Sequence, residues 1–195
     1  NLPSVYSKEE VSRLLASVDR GNATGKRDYL VLVLASYLGM RSSDICNLRF
    51  ENIDWESSCI NIVQIKTDQP LTLPLLPEVG NAIIDYLKHG RPQSGDTHVL
   101  LNISSPFSPM QTSMIYQVAT QAFRRAGIDI SNRRHGAHSL RHSLASRMLE
   151  GQTAMPIISE ALGHTETNST MYYLRVDITS LKSCQMETIP VSEQF

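Results

Sequence analysis

Residues 29–38 read YLVLVLASYL, and this stretch is apolar on nearly every side of a helix. Its length of ten residues favours a buried helix over a strand. Gly39 ends the stretch, and residues 41–48 predict another short helix directly after it. Arg41 is therefore expected at the edge of the most buried element. Partial removal of its guanidinium from water is costly unless an anion regularly meets it there.

Further helices are predicted on both sides of this core. Ser7 and Glu10 form a capping box, and four apolar residues follow at helical spacing: Val11, Leu14, Leu15 and Val18. Residues 21–25 carry two glycines and predict a loop. Helices are also predicted over residues 77–87, 112–126, 139–150 and 156–162. Gly163 is expected to end the last of them.

The periodicity changes to two after Cys59. Ile60 and Ile62 share a parity with Gln64 and Lys66, residues 67–70 (TDQP) predict a turn, and alternating leucines follow. This pattern predicts a β-hairpin with Lys66 near its tip. The predicted fold class is α+β: mainly α-helical, with a small antiparallel β-sheet on one edge.

Length and composition exclude several classes of protein. The chain has 195 residues, 18 Lys and Arg, 19 Asp and Glu, and a formal net charge of -1. It is long enough to form one sizeable core without a disulfide or a metal. Its longest uncharged apolar stretch, residues 29–40, is well short of the ~20 residues that span a bilayer. No membrane segment and no secretory signal are expected, and the absence of an initial Met suggests a fragment.

Three cysteines, Cys46, Cys59 and Cys184, fit neither a disulfide framework nor a paired-cysteine metal site. A reducing, cytoplasmic compartment is the simplest expectation.

Positive charge is concentrated in one segment. Residues 124–141 contain five arginines and one aspartate, whereas residues 151–195 contain five acidic and two basic residues. A basic face is therefore expected despite the near-neutral total, and such a face is typical of nucleic-acid binding. The candidate DNA-binding residues in this segment are Arg124, Arg125, Arg133 and Arg134.

The sequence HSLRH at residues 138–142 supports two chemical interpretations. A histidine pair at i and i+4 can ligate zinc, and His135 lies just upstream, so a metallohydrolase built on His135, His138 and His142 is one alternative. Ser139 stands where metalloproteases of this type have a glutamate, and Arg141 would repel a cation. The other interpretation is an anion pocket, in which Arg141 binds two phosphate oxygens and His138 moves a proton.

Tyr172 and Tyr173 follow a polar run after His164. A tyrosine with a pKa near 10 is about one part in a thousand ionised at pH 7. A nucleophilic tyrosine therefore needs a nearby base or a cluster of cations. About 100° of helix rotation separates two adjacent residues, so only one of the pair can face a given site.

In combination, these motifs resemble the tyrosine recombinases, also called phage-type integrases, over residues 6–176. The matching elements, in order, are GMRSSD at residues 39–44, Lys66 in the hairpin, HSLRH at residues 138–142, LGH at residues 162–164 and Tyr173 nine residues later. The resemblance implies a helical catalytic domain of the DNA breaking-rejoining type over residues 1–176. It further implies a tail, residues 177–195, that docks on a neighbouring protomer.

The resemblance also implies roles for individual residues. Tyr173 would attack a DNA phosphate and form a 3′-phosphotyrosyl intermediate, without a metal or another cofactor. The residues expected to assist are Arg41 and Arg141 on the phosphate oxygens, Lys66 as the acid for the leaving 5′-oxygen, His138 in proton transfer, His164 on a phosphate oxygen and Asp44 in support of Arg41. The family's amino-terminal clamp domain has no counterpart in this sequence.

The implied function is site-specific recombination or integration for a mobile element. The implied partners are double-stranded DNA and further copies of the chain, as a tetramer on DNA, with no membrane and with nucleoid association in a bacterium. Three alternatives stay open: a catalytically silent DNA-binding module, a topoisomerase that forms the same 3′-phosphotyrosine, and the metallohydrolase.

Overall fold

The structure, a computed structural model, describes residues 4–163. Within this part of the chain there are seven α-helices and three strands. They are α1 (Lys8–Ala16), α2 (Ala23–Tyr37), α3 (Ser42–Cys46), β1 (Ile53–Asp54), β2 (Cys59–Val63), β3 (Pro70–Pro74), α4 (Pro77–His89), α5 (Thr112–Arg125), α6 (Ala137–Glu150) and α7 (Met155–Leu162). A 3₁₀ turn at Phe50–Asn52 precedes β1.

Helix α2 is the centre of the core, as the apolar stretch predicts. Residues 30–35 are at most 1% exposed. The helix packs against five other helices, α1, α3, α4, α5 and α6. An all-round apolar helix is stable only in such a setting.

The predicted loop over residues 21–25 is wrong in its second half, because α2 begins at Ala23. The Asn22 side chain accepts a hydrogen bond from the backbone N–H of Gly25 at 2.8 Å and caps the helix. Arg27 and Asp28 then continue it as a buried ion pair, with 2.7 Å between guanidinium and carboxylate. Because each charge neutralises the other, both residues can be buried in this helix. Two adjacent charged residues in the sequence did not suggest burial.

The hairpin prediction is confirmed, and a third strand extends it. The three strands form one antiparallel sheet in the order β1-β2-β3, with Ile60 opposite both Ile53 and Leu73. The inward-facing Ile60, Ile62 and Leu73 are buried. Strand β1 has two residues and is too short to show a period in the sequence.

Helices α6 and α7 complete the described chain and position its final residues. Helix α6 begins at Ala137, two residues earlier than predicted, which places His138 in its first turn. Helix α7 packs on α6 and β3, and Gly163 ends it with a left-handed φ of 60°, as predicted. None of the helices described is long and apolar enough to cross a bilayer.

Candidate active site

A cavity of about 420 Å³ opens where α3, the β2–β3 turn, α5 and α6 meet. It is lined by basic and hydroxyl side chains: Arg41, Ser42, Ser43, Lys66, Thr112, His138, Arg141 and His142. Four of the predicted site residues, Arg41, Lys66, His138 and Arg141, therefore line one space although 100 residues of chain separate the first from the last. No carboxylate lines this cavity within residues 4–163.

Arg41 reaches this position because the chain turns sharply after α2. Gly39 has a φ of 61°, and a Cβ atom there would lie 2.6 Å from the Leu162 side chain. This turn delivers Arg41 to the N-cap position of α3. Its Nη2 donates to the carbonyl of Gly163 at 3.1 Å. Its Nη1 is buried and has no hydrogen-bond partner among the described residues. A buried donor without an acceptor costs about 1–3 kcal/mol, and an anionic group that accepts from this Nη1 would remove that cost.

Arg141 lies on α6 and is 4% exposed. Its Nη1 donates to the carbonyl of Gly39 at 2.5 Å, and its Nη2 donates to the carbonyl of Leu162. These acceptors are neutral, and the carbonyl of Leu162 belongs to the end of α7, where helix carbonyls carry partial negative charge. Both guanidiniums thus donate to carbonyls of the same short stretch, Leu162 and Gly163, and Arg141 donates to the carbonyl of Gly39 as well.

Lys66 lies in the turn between β2 and β3, and its side chain is exposed. The turn is attached to α3 by the buried carboxylate of Asp44, which accepts a hydrogen bond from the backbone N–H of Ile65 at 3.0 Å. Among the ion pairs of the described chain there is none between Asp44 and Arg41. Asp44 therefore holds the turn that carries Lys66, a contact that its position three residues after Arg41 did not indicate.

His138 and His142 lie one helical turn apart on α6, with 2.7 Å between their Nε2 atoms and their rings nearly perpendicular. A hydrogen bond of this kind needs one nitrogen that carries a proton and one that does not. Desolvation by the surrounding protein lowers the pKa of His138, and the cations Arg141, Lys66, Arg134 and Arg41 lower it further. Desolvation, His138 and Arg141 lower the pKa of His142 to about 4. Both rings are therefore neutral near pH 7.

The metallohydrolase alternative is not favoured. His135 does not join the other two histidines, because its Nε2 lies 2.9 Å from the Tyr116 hydroxyl and its ring stacks on that tyrosine. Within residues 4–163 no group of three or more His, Cys, Asp or Glu side chains is arranged to hold a metal ion.

The four candidate DNA-binding arginines differ in their surroundings. The guanidinium of Arg133 binds the Glu10 carboxylate at 2.5 Å and lies 3.9 Å from the centre of the Tyr6 ring. The charge of Arg133 is thus neutralised within the protein by Glu10. The side chains of the other three are exposed: Arg124, Arg125 and Arg134.

His164, Tyr172 and Tyr173 lie outside the described residues. The last described residue is Gly163, whose carbonyl accepts from Arg41, a residue that lines the cavity.

Sequence reasoning missed one buried residue beside this cavity. Gln64 is 1% exposed and contacts both the lysine turn and the end of α7. The available signal was its parity: it continues the inward-facing row of Ile60 and Ile62, where a polar side chain must find internal hydrogen-bond partners.

The chain is similar to known integrases in sequence. The model of the phage integrase family matches residues 4–179. Two proteins of Sinorhizobium fredii (strain NBRC 101917 / NGR234), the putative integrase/recombinases y4rA and y4gC, are 34% and 31% identical over 94% and 95% of this chain. The chain spans 44% of y4rA and 96% of y4gC. Tyrosine recombinase XerA of Pyrococcus furiosus (strain ATCC 43587 / DSM 3638 / JCM 8422 / Vc1) is 30% identical over 93% of the chain, which spans 60% of it.

The fold is similar to solved recombinases. A crystal structure of XerA recombinase matches with a TM-score of 0.77 at 21% identity, covering 97% of this chain and 65% of that one. A XerH site-specific recombinase bound to its palindromic difH substrate in a post-cleavage complex matches with a TM-score of 0.79 at 22% identity, covering 95% of this chain and 53% of that one. These matches confirm the predicted fold class.

Proposed function

The chain belongs to the phage integrase family, and from this premise we propose that it recombines DNA at specific sites by cleaving and rejoining strands through a tyrosine. The observation that carries the proposal is the convergence of Arg41, Lys66 and Arg141, with His138, on one cavity. A phosphodiester carries one negative charge on two non-bridging oxygens. Two fixed guanidiniums and an ammonium offer what that group needs as charge is redistributed in the transition state.

In the proposed reaction Tyr173 is the nucleophile. A bond forms between its phenolic oxygen and the scissile phosphorus as the bond from phosphorus to the 5′-oxygen breaks. The number of phosphate ester bonds is unchanged, so the reverse attack by a 5′-hydroxyl reseals a strand without an external energy source. Arg41 and Arg141 hold the non-bridging oxygens throughout.

Two protons move in the cleavage step. The phenolic proton leaves towards His138, and the lowered pKa of that histidine keeps its ring neutral and able to accept a proton near pH 7. Lys66 gives a proton to the departing 5′-oxygen. We assign His164, the residue after Gly163, to a hydrogen bond with a phosphate oxygen.

The duplex is proposed to extend from the cavity along α5. Thr112 at the start of this helix lines the cavity, and Arg124 and Arg125 are exposed at its other end. The helix contains no acidic residue, and its 14 residues cover about 21 Å. Exposed Arg134 lies close enough to His138 to lower its pKa. These three arginines are the proposed phosphate contacts outside the cavity.

We further propose that the working assembly is a tetramer on DNA, in the service of a mobile element, with residues 177–195 docking on a neighbouring protomer. The apolar spacing of Ile178, Leu181, Met186 and Ile189 in the sequence supports this docking. Truncation after Val176 should weaken cooperative assembly on DNA more than it lowers the melting temperature of the free protein. A larger effect on the free protein would contradict docking between protomers.

The test of the function is covalent capture of DNA. The protein is incubated with a pool of nicked duplexes of randomised core sequence, and denaturing electrophoresis separates any protein joined to a 3′ end. We expect a covalent adduct that Tyr173→Phe abolishes and Tyr172→Phe preserves. Loss with Tyr172→Phe alone would assign the nucleophile to Tyr172. DNA binding without any adduct from the pool would identify a silent DNA-binding module instead.

A further inference from the structure

We propose that Gln64 is a positioning residue that connects the turn carrying Lys66 to the end of α7, so that the acid and the phosphate-binding arginines keep a fixed spacing. This inference rests on the proposed function. Gln64 is 1% exposed at the end of β2, and its side chain contacts both elements.

On one side, Gln64 holds the lysine turn from within. Its Oε1 accepts a hydrogen bond from the Thr67 hydroxyl at 2.9 Å. Its main chain closes the same turn: its carbonyl accepts from the N–H groups of Thr67 and Asp68, and its N–H donates to the carbonyl of Gln69. Lys66 lies between these anchored positions, so its backbone is fixed although its side chain is exposed.

On the other side, the amide of Gln64 packs against the residues that fix the arginines. Its Nε2 lies 3.4 Å from the carbonyl of Leu162, to which it donates. That carbonyl also accepts from Arg141. Only a donor suits a carbonyl and only an oxygen suits the donating Thr67 hydroxyl, so the two contacts agree on the orientation of the amide.

Gly163 shows how closely these parts are fitted. A Cβ atom on Gly163 would lie 2.4–2.6 Å from three atoms of the Gln64 amide group. The carbonyl of Gly163 accepts from Arg41 at 3.1 Å. Because Gly163 has no side chain, the amide of Gln64 can lie directly against the end of α7, whose carbonyls bind Arg41 and Arg141.

The consequence concerns the leaving group more than phosphate binding. Without the amide, the turn loses the hydrogen bond from the Thr67 hydroxyl and its contact with α7. The main-chain hydrogen bonds of the turn and the carbonyls that orient Arg41 and Arg141 remain. Lys66 would then be misplaced relative to the bound phosphate. Protonation of the departing 5′-oxygen should suffer, and capture of the phosphate by the arginines should not.

The test compares two DNA substrates. One is an ordinary phosphodiester, and in the other a sulfur atom replaces the bridging 5′-oxygen at the scissile position. A thiol has a pKa of about 8.5, so the thiolate leaves without a proton. We expect Gln64→Met, which preserves length and removes both hydrogen bonds, to slow single-turnover cleavage of the phosphodiester about 10- to 100-fold. Cleavage of the sulfur substrate should stay within about 3-fold of the wild-type rate, as it should for Lys66→Ala.

The matched control is Gln69→Met. This glutamine lies in the same turn with its side chain exposed, and its main-chain carbonyl accepts from the N–H of Gln64, a bond that the variant keeps. Its variant should cleave both substrates at the wild-type rate. If Gln64→Met does not fold, Thr67→Val removes the hydroxyl that binds the amide at nearly constant shape, and it should show the same dependence on the substrate.

The outcomes separate the two levels of the proposal. An equal slowing of both substrates by the Gln64 or Thr67 variant, or no slowing of either, overturns the positioning role. So does a Lys66→Ala defect that sulfur fails to relieve, because Lys66 would then not be the acid. If the wild-type protein forms no adduct with either substrate, the proposed function itself fails.

Discussion

Arg41 and Arg133 are both held by internal hydrogen bonds, but the kinds of acceptor differ. Arg41, at the cavity, donates to the carbonyl of Gly163 and keeps a buried Nη1 without a partner among the described residues. Arg133, at the corner formed by the start of α1 and the segment before α6, binds the carboxylate of Glu10 and packs on the Tyr6 ring. The first arginine meets a neutral acceptor and the second a charged one.

This difference separates a functional charge from a structural one. A carbonyl orients a guanidinium but leaves its positive charge available, whereas a carboxylate neutralises it. The Glu10 and Arg133 pair shows the result, because the contact lowers the pKa of Glu10 and raises that of Arg133. The two arginines are thus not equivalent, and the acceptor that each one meets decides whether its charge is available to a further anion.

The largest expected effect comes from removing the guanidinium of Arg41 from the cavity. Arg41→Ala should slow covalent capture of DNA by about 10²- to 10³-fold, the range found when a preorganised donor to a developing oxyanion is removed. Arg133→Ala should change the rate by less than about 3-fold, because its charge is already neutralised by Glu10. Single-turnover cleavage rates measure both variants, on the duplex that forms a covalent adduct in the randomised pool. Equal losses in two folded variants would show that the distinction between these arginines is wrong.

Gly163→Ala tests whether the end of α7 is tightly packed against the side chain of Gln64. A φ of 60° and the close Gln64 amide should together lower the free energy of unfolding by about 2 kcal/mol or more. Gly127→Ala is the matched control, because Gly127 has a φ of 64° and nothing within 4 Å of its Cβ position. It should cost only the backbone strain of about 1 kcal/mol. Urea denaturation measures the free energy of unfolding of both variants. Equal losses would mean that the Gln64 side chain moves aside without cost.

Acid should destabilise the histidine side of the cavity. The pKa of His142 falls to about 4 on folding, so between pH 6.5 and 4 the unfolded chain binds a proton that the folded chain does not. Stability therefore decreases as the pH falls through this window. His142→Gln should flatten that decrease by up to about 1 kcal/mol per pH unit.

His89→Gln provides the comparison for this histidine. His89 is exposed at the end of α4 and does not line the cavity, so this variant makes the same substitution away from the cavity. Urea midpoints at pH 7, 6 and 5 measure both variants. A wild-type slope in His142→Gln would contradict the burial of this ring as its cause.

The smallest expected effect is at the structural corner. Glu10→Gln removes the charge that neutralises Arg133 and should cost about 1 kcal/mol of stability, a value typical of a partly exposed ion pair. Cleavage should stay at the wild-type rate. A melting curve and a capture assay on the same sample are sufficient, and a rate loss without a stability loss would place Arg133 in the function.

The sequence predicted the elements of the fold better than the contacts between them. Periodicity located α2 and the hairpin, and the resemblance to integrases selected Arg41, Lys66 and Arg141, which the structure brings together. Their catalytic roles remain predictions. The partner of Arg133 could not be predicted, because Glu10 lies 123 residues away and nothing local marks the pair.

Gln64 shows the same limit. Its parity predicts burial, but its contact with Leu162 spans 98 residues and arises only when α7 packs against the hairpin. Local patterns predict helices and turns because their causes lie within a few residues. A contact across the fold depends on two segments that are distant in the sequence, and the local pattern of neither segment reveals the other.

The most direct test removes the negative charge of the scissile phosphate. A neutral methylphosphonate at the scissile position, with one non-bridging oxygen replaced by methyl, leaves little for a guanidinium to balance. If the charge of Arg41 serves the scissile phosphate, Arg41→Ala should form adducts on this DNA within about 10-fold of the wild-type rate, against the loss of about 10² or more on the phosphodiester. An undiminished defect on the neutral substrate would show that the charge of Arg41 does not serve the scissile phosphate.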